Sequence, residues 1–153
     1  MEVLELEKIV HKNLLRINSE ANSKAEILEE LGDLLEQEGY ISNKKMFLDD
    51  VYLRETEGET GIGEGIAIPH GKSEAVLETT VAIATLKREI EWETLDGGGV
   101  SVVILFAVRD TDANTTHILL LQKIAILLAD ETFIENLKKV QTIDGLYRLI
   151  TKS

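Results

Sequence analysis

The sequence predicts an α/β fold in which a mixed β-sheet is flanked by α-helices on both faces. Residues 81–86 and 100–108 are apolar runs rich in β-branched side chains, which is typical of buried strands. Segments with helical spacing of apolar residues stand before and after these runs. No repeat, low-complexity stretch or linker interrupts the 153 residues, so we expect residues 1–153 to form a single domain.

The first third of the chain predicts one strand followed by two helices. Residues 11–17 have the composition of a short strand, and the polar residues 19–24 then offer caps for a helix that begins at Ala25. Gly39 is expected to end this helix, and residues 44–53 predict a second one. The side chains expected to face the core are Ile27, Leu28, Leu31, Leu34 and Leu35 in the first helix, and Met46, Phe47 and Val51 in the second.

The middle of the chain predicts a loop and short strands. Residues 54–65, RETEGETGIGEG, are rich in glycine and poor in apolar groups, which indicates a loop. Residues 66–68 predict a short strand that Pro69 stops. Residues 89–94 alternate between apolar and polar and predict another strand, and residues 96–99, DGGG, predict the turn that follows.

The last third predicts three helices, over residues 117–129, 133–139 and 143–152. The first of them is apolar almost all round, which predicts a helix buried within the protein, and it is too short to span a bilayer. The acidic first ten residues lack the pattern of a signal peptide. We therefore expect a cytoplasmic protein, and any membrane component of its system must be another chain.

Charge and cysteine content exclude several classes of function. A net charge of −12, from 16 basic and 28 acidic side chains, repels nucleic acid and would attract a basic protein partner. Simple solubility explains that charge equally well. The absence of cysteine excludes disulfides, thiolate metal sites and cysteine nucleophiles within this chain.

Three histidines are candidates for chemistry. His70 lies between Pro69 and Gly71, which are expected to end a strand abruptly and leave the imidazole exposed at its tip. A histidine near its ordinary pKa is mostly neutral at pH 7, so one ring nitrogen is free to attack. A turn histidine with no role is an equal alternative on these grounds. His11 has no partner pattern and is expected at the surface.

His117 opens the long apolar helix, and one of residues 114–116 is expected to cap that helix. A histidine at a helix start can donate a hydrogen bond to an oxyanion, although a solvent-facing ring is the simpler interpretation. Arg54 begins the loop that leads to His70, and its guanidinium matches phosphate oxygens. The alternative for Arg54 is a surface ion pair with Glu55 or Glu57.

Neither a nucleotide motif nor a metal set is present. The glycines of residues 61–65 lack the strand and helix that a dinucleotide site requires, and residues 71–73, GKS, lack the upstream glycine of a phosphate loop. We expect residues 71–73 to form a turn. Three dispersed histidines make a poor zinc set, so we predict no metal and no cofactor.

Residues 54–76, RETEGETGIGEGIAIPHGKSEAV, resemble the signature of the phosphotransferase-system enzyme IIA domain of the fructose/mannitol class, type 2. The nitrogen-regulatory IIA proteins share this signature. The resemblance extends to the pattern SKAEIL at residues 23–28, to Trp92 before residues 95–97, and to the Thr-His-Ile of residues 116–118 that opens a leucine-rich helix.

The resemblance implies a role for each of the three candidates. His70 would receive a phosphoryl group from phospho-HPr and pass it to a cysteine of the IIB component for sugar uptake through a membrane IIC component. The tele nitrogen is the candidate position, and the choice between the two ring nitrogens stays open at this point. Arg54 would neutralise phosphate charge, and His117 would lie beside the phosphorylated ring. Glu64 stands where an asparagine is common, and its side chain should point away from the phosphate.

Three alternatives stay open at this point. The first is a nitrogen-type regulatory IIA, which acts by binding proteins according to its phosphorylation state. The second is an interaction domain that has lost phosphoryl transfer, and the third is a metal hydrolase.

Overall fold

The computed structural model describes residues 6–112 and 115–152, and within them one six-stranded sheet and five α-helices. The elements are β1 (Val10–Ser19), α1 (Lys24–Gln37), α2 (Lys44–Glu55), β2 (Gly61–Gly63), β3 (Ile66–Ala67), β4 (His70–Ser73), β5 (Thr80–Ile90), β6 (Val100–Arg109), α3 (Thr116–Leu128), α4 (Glu131–Lys139) and α5 (Ile143–Thr151). The prediction that the first ten residues are not a signal peptide falls partly on residues 1–5, which lie outside the described residues.

The sheet is mixed, as predicted. Its order is β1-β5-β6-β3-β2, with β4 also paired to β6. Strand β1 is parallel to β5, β5 is antiparallel to β6, and both β3 and β4 run parallel to β6. Because β5 occupies one edge of β6, β3 and β4 lie one after the other along its second edge. The chain between them is Ile68-Pro69, and the Pro69 carbonyl accepts the N–H of Phe106 at 2.9 Å.

Helices cover both faces of the sheet, which confirms the predicted fold class. Side chains alternate along the strands, so that Leu14 and Ala82 face α1 and α2, whereas Leu15 and Ile83 face the helices of the last third. Strands β5 and β6 are apolar on both sides because each face meets a helical layer.

The local signals for α1 and α2 act as expected. Ser23 caps α1 by accepting the N–H of Glu26 at 3.1 Å, and Gly39 follows the helix with a φ of +83°. All five predicted core residues of α1 are buried, and so are Phe47 and Val51 of α2. Met46 was expected in the core, but it is 46% exposed. It precedes Phe47 by one residue, and the 100° rotation per residue carries it off the buried face.

Three predictions for the middle of the chain are wrong. Helix α2 runs through Arg54 to Glu55, so the loop begins later, and Gly61–Gly63 forms β2 by pairing with β3. Residues 71–73 belong to β4 and not to a turn, because β6 offers them a parallel partner. Residues 91–93 form no strand: Ile90 ends β5, and the alternation beyond it reflects the burial of Trp92.

Helix α3 is only half covered, which corrects the prediction of a buried helix. Leu120 and Ile124 pack against the sheet, but Ile118 is 50% exposed and Ile126 is 70% exposed. The helix lies on the sheet by one side, and much of its opposite apolar side is exposed. None of the described helices has the length and apolar character needed to cross a bilayer.

Candidate active site

The three predicted site residues come together from three separate elements. Arg54 lies in the last turn of α2, His70 is the first residue of β4, and His117 lies in the first turn of α3. All three side chains are half-buried. His11 lies apart from them in β1 and stacks on the ring of Tyr40, with centroids 5.2 Å apart. His11 was expected at the surface; it is half-buried, and its Nε2 atom has no hydrogen-bond partner among the described residues.

Gly71 determines how closely α2 approaches His70. A Cβ atom on Gly71 would lie 2.8 Å from carbon atoms of both Phe47 and Val51. Only glycine therefore lets β4 lie directly beneath α2. Arg54 follows Val51 by three residues and so lies on the same side of the helix, which directs it toward the strand. His70 consequently begins a strand beside β6 and is half-buried, instead of standing exposed at a strand end as predicted.

Two hydrogen bonds assign the tautomer of His70. The Nε of Arg54 lies 3.0 Å from the Nε2 of His70, and a guanidinium can only donate. Nε2 is therefore the acceptor and carries no proton. The Nδ1 atom lies 3.1 Å from the carbonyl oxygen of Ile68, so it carries the proton of the neutral ring and donates it. The lone pair of Nε2 thus faces the guanidinium.

Burial lowers the pKa of His70 below its ordinary value, and the positive charge of Arg54 acts in the same direction, against the hydrogen bond to Ile68. Burial also lowers the pKa of His117, with further contributions from His70, Lys72 and Arg54. Both rings are therefore neutral at neutral pH, which is the state in which a histidine nitrogen can act as a nucleophile.

His117 lies beside His70 with an unused ring nitrogen. The two ring centroids are 5.2 Å apart at an interplanar angle of 58°. The Nε2 of His117 is buried and has no hydrogen-bond partner among the described residues. A buried polar atom without a partner is rare, and here it is available to a group that enters beside His70. Thr115 occupies the N-cap position of α3 without a side-chain cap bond, and Asn114 lies outside the described residues.

Sequence reasoning missed the backbone groups that hold the site. The carbonyl of Gly58 accepts a bond from Nη1 of Arg54 at 3.3 Å, and the carbonyl of Ile68 orients His70. No sequence signal marks a carbonyl acceptor. Glu55 was expected as a possible ion partner of Arg54, but its carboxylate instead pairs with Lys24 at 2.5 Å.

Glu64 lies in the turn between β2 and β3. Glu64 is exposed in the left-handed region, with a φ of +57°, and its N–H binds the carboxylate of Asp96 at 3.2 Å. Within residues 6–112 and 115–152, no group of three or more histidine, aspartate or glutamate side chains is arranged to hold a metal ion.

Comparison with known proteins shows which family this chain is similar to. The family model described as "Phosphoenolpyruvate-dependent sugar phosphotransferase system, EIIA 2" matches residues 8–153. The 2-O-alpha-mannosyl-D-glycerate-specific EIIABC component of Escherichia coli strain K12 is 37% identical over 145 residues, which are 94% of this chain and 22% of that protein. The chain therefore spans less than a quarter of the length of that relative.

Two solved structures share the fold. The nitrogen regulatory protein IIA-Ntr of Neisseria meningitidis matches with a TM-score of 0.86 and 28% identity, over 94% of this chain and 97% of that one. The mannitol IIA enzyme of Escherichia coli, in a complex with phosphorylated IIB, matches with a TM-score of 0.75 and 25% identity, over 95% and 100% of the two chains. The chain belongs to the type 2 EIIA family of the phosphoenolpyruvate-dependent sugar phosphotransferase system.

Proposed function

We propose that this protein is a phosphocarrier of the fructose/mannitol class, which accepts a phosphoryl group from phospho-HPr on Nε2 of His70 and passes it to a cysteine of a IIB component. The observation that carries the proposal is the pair of hydrogen bonds at His70. They hold a neutral ring with its proton on Nδ1 and the lone pair of Nε2 facing the Arg54 guanidinium. This arrangement supports phosphorylation at Nε2, the tele nitrogen.

The transfer needs no proton to leave His70. The Nε2 lone pair forms a bond to phosphorus while the P–N bond of the donor histidine breaks and its electron pair returns to the donor ring. The proton stays on Nδ1 and is donated to the carbonyl of Ile68, which stabilises the positive charge of the phosphorylated imidazole. In the second transfer, the thiolate of the IIB cysteine attacks phosphorus, and the P–N electron pair returns to Nε2.

Arg54 and His117 hold the charge of the transferred group. The Nε of Arg54 must leave Nε2 when phosphorus arrives, and a small shift places the guanidinium on the phosphoryl oxygens. The unpartnered Nε2 of His117 donates a hydrogen bond to an oxygen when it carries the proton of that neutral ring. Donors already in place lower the barrier, because phosphoryl transfer depends mainly on positioning and charge stabilisation.

An apolar cavity beside α3 supports docking of the IIB component near His70, which follows the lining residue Ile68 by two positions. A cavity of about 260 Å³ lies between the β2–β4 segment and α3, and its lining residues are Ile62, Ile68, Leu121, Ile124, Ala125, Leu128 and Ala129. Ile62 and Ile68 are only partly buried there, whereas Ile66 is fully buried and belongs to the core. A IIB partner fits because the related mannitol IIA has been solved in a complex with phosphorylated IIB.

The test is reconstitution of the phosphoryl chain. The protein is incubated with phosphoenolpyruvate, enzyme I and HPr, and the phosphoryl group is located by peptide mass mapping and by ³¹P NMR. We expect one phosphoryl group on Nε2 of His70, and none in His70→Ala. Phosphorylation that persists in His70→Ala contradicts the proposal.

A second candidate function is that of a nitrogen-type regulatory IIA, which would use the same phosphohistidine as a signal for protein binding. The TM-score of 0.86 to the Neisseria IIA-Ntr, against 0.75 to the mannitol enzyme, favours it. Transfer from phosphorylated His70 to candidate IIB cysteines separates the two functions. A carrier transfers its phosphoryl group to the IIB cysteine. A regulator keeps the phosphoryl group, and it is phosphorylated faster by a dedicated nitrogen HPr than by general HPr.

A further inference from the structure

Five side chains behind the site form one continuous polar network. The hydroxyl of Thr60 donates to Oε2 of Glu55 at 2.6 Å and accepts the indole N–H of Trp92 at 3.1 Å. The other carboxylate oxygen of Glu55 pairs with the ammonium of Lys24 at 2.5 Å. Lys24 also binds Glu93 at 2.9 Å and lies over the ring of Trp92, 4.9 Å from its centroid.

Thr60 connects this network to both halves of the site. Its hydroxyl holds Glu55, the residue that follows Arg54 at the end of α2. Its carbonyl accepts the N–H of Ile68 at 2.9 Å, and the carbonyl of Ile68 in turn accepts the Nδ1 proton of His70. One buried residue therefore contacts the segment that carries the guanidinium and the segment that sets the histidine tautomer.

Because the side chains of Thr60 and Glu55 are buried, the hydrogen bonds of this network determine how the residues are positioned. Thr60 is 2% exposed and the side chain of Glu55 is 6% exposed, so water does not replace a lost partner. Burial opposes the charge of Lys24, but its hydrogen bonds to Glu55 and Glu93 outweigh that effect and raise its pKa. These side chains thus form a hydrogen-bonded network with Thr60 at its centre.

The turn between α2 and β2 is held by hydrogen bonds and not by apolar packing. Residues 56–59, TEGE, contain no apolar side chain and are exposed or half-buried. This turn includes Gly58, whose carbonyl binds Arg54. Gly61 then permits close contact with the segment after Trp92, because a Cβ there would lie 2.7 Å from the carbonyl oxygen of Glu93. The position of the turn depends on polar contacts at its two ends, Glu55 and Thr60.

We propose that Thr60 is a positioning residue for phosphoryl transfer, which acts through Glu55 on Arg54 and through Ile68 on the tautomer of His70. The inference rests on the proposed function for its kinetic consequence. Its structural consequence, a His70 ring with the proton on Nδ1, is measurable in the unphosphorylated protein.

The experiment compares Thr60→Val, which removes only the hydroxyl, with Thr60→Ser, which keeps it. Thr151→Val is the matched control, since that hydroxyl donates to the carbonyl of Tyr147 within α5, away from the site. The readouts are the rate of His70 phosphorylation at saturating phospho-HPr, the KM for phospho-HPr, and the ¹⁵N NMR shifts of the His70 ring. We expect Thr60→Val to lower the rate about 10- to 100-fold at unchanged KM and to reduce the Nδ1–H form. We expect Thr60→Ser and Thr151→Val to keep the wild-type rate and the wild-type fraction of the Nδ1–H form.

The outcomes separate this inference from the proposed function. Wild-type rate and wild-type ring shifts in Thr60→Val overturn the inference. If Thr60→Val does not fold, Trp92→Phe and Glu55→Gln decide by the same shifts: changed His70 signals support the inference, and unchanged ones overturn it. If the wild type accepts no phosphoryl group, the proposed function fails, while the ring shifts of Thr60→Val against Thr60→Ser still test the positioning.

Discussion

The Nε atom of Arg54 lies 3.0 Å from Nε2 of His70, so the arginine is hydrogen-bonded to the atom that would attack phosphorus. The free protein therefore keeps its charged group at the place where negative charge would arrive. The guanidinium needs only a short movement to release the lone pair and bind phosphoryl oxygens. We therefore expect Arg54 to affect the rate of the proposed transfer more than the stability of the fold.

Replacing Arg54 by Gln should slow phosphorylation of His70 while leaving the protein folded. The variant loses one preorganised donor at the developing charge, which typically raises the barrier by about 3 kcal/mol. Single-turnover phosphorylation by phospho-HPr measures the effect. Arg88→Gln is the control, because Arg88 is exposed at the end of β5. A wild-type rate in Arg54→Gln would remove its proposed role and leave that of His70 intact.

His117→Ala should also slow transfer, by about 10- to 100-fold, because it removes the side chain beside His70 that can donate to the phosphoryl group. Its Nε2 has no partner among the described residues, so the substitution leaves no described hydrogen-bond partner stranded. We therefore expect little loss of stability in urea unfolding. His11→Ala is the control, since its ring stacks on Tyr40 in another part of the fold. Equal rates in the two variants would contradict a role for His117.

The rate of phosphorylation should stay constant from pH 8 down to about 6.5, the ordinary histidine pKa, and fall only below it. Burial lowers the pKa of His70, so the ring keeps its lone pair into mildly acid solution. NMR titration of the ring, alongside the pH profile of the rate, checks this. A midpoint above the ordinary value would contradict it.

The same lowered pKa predicts the direction of a stability change. Below about pH 6.5 the histidine is protonated in the unfolded chain, whereas the native ring stays neutral because its pKa is lower. The unfolded state then binds more protons than the native state, so the free energy of unfolding falls as the pH drops toward the native pKa. His70→Gln should show a smaller loss over this interval in urea unfolding at matched pH.

Gly71→Ala should destabilise the protein by about 1–3 kcal/mol, because the new methyl group would overlap Phe47 and Val51. The strain pushes α2 away from β4, so we also expect a weaker contact between Arg54 and His70. Urea unfolding measures the first effect and the His70 ring shifts the second. Gly98→Ala is the control, since the atoms nearest to that position belong to the flexible side chain of Asp96. Equal stability of the two variants would exclude the packing argument.

Ile118→Ser should raise the KM for a IIB acceptor about tenfold and leave phosphorylation of His70 in the absence of IIB unchanged. Ile118 is exposed on the uncovered side of α3, and its burial by a partner is worth roughly 1–2 kcal/mol. Steady-state transfer at varied IIB concentration measures the KM. Ile143→Ser at the start of α5 is the control. An unchanged KM in Ile118→Ser would place docking elsewhere.

The sequence alone determined most of the secondary structure and the membership of the family. Continuous β-branched apolar runs located β5 and β6, and the helical spacing of apolar residues located α1, because both patterns follow from the backbone geometry of a single element. Cap residues such as Ser23 located helix ends for the same local reason. The run around His70 was distinctive enough to indicate the IIA family before any coordinate was known.

Only the tertiary structure decided the arrangement of the site. Arg54 and His70 are sixteen positions apart, and their contact depends on the packing of α2 against Gly71. The tautomer of His70, the unused nitrogen of His117 and the uncovered side of α3 likewise depend on which groups distant segments bring near. Such contacts arise from non-local packing and carry no periodic signal in the chain, whereas strands, helices and caps follow from neighbouring residues.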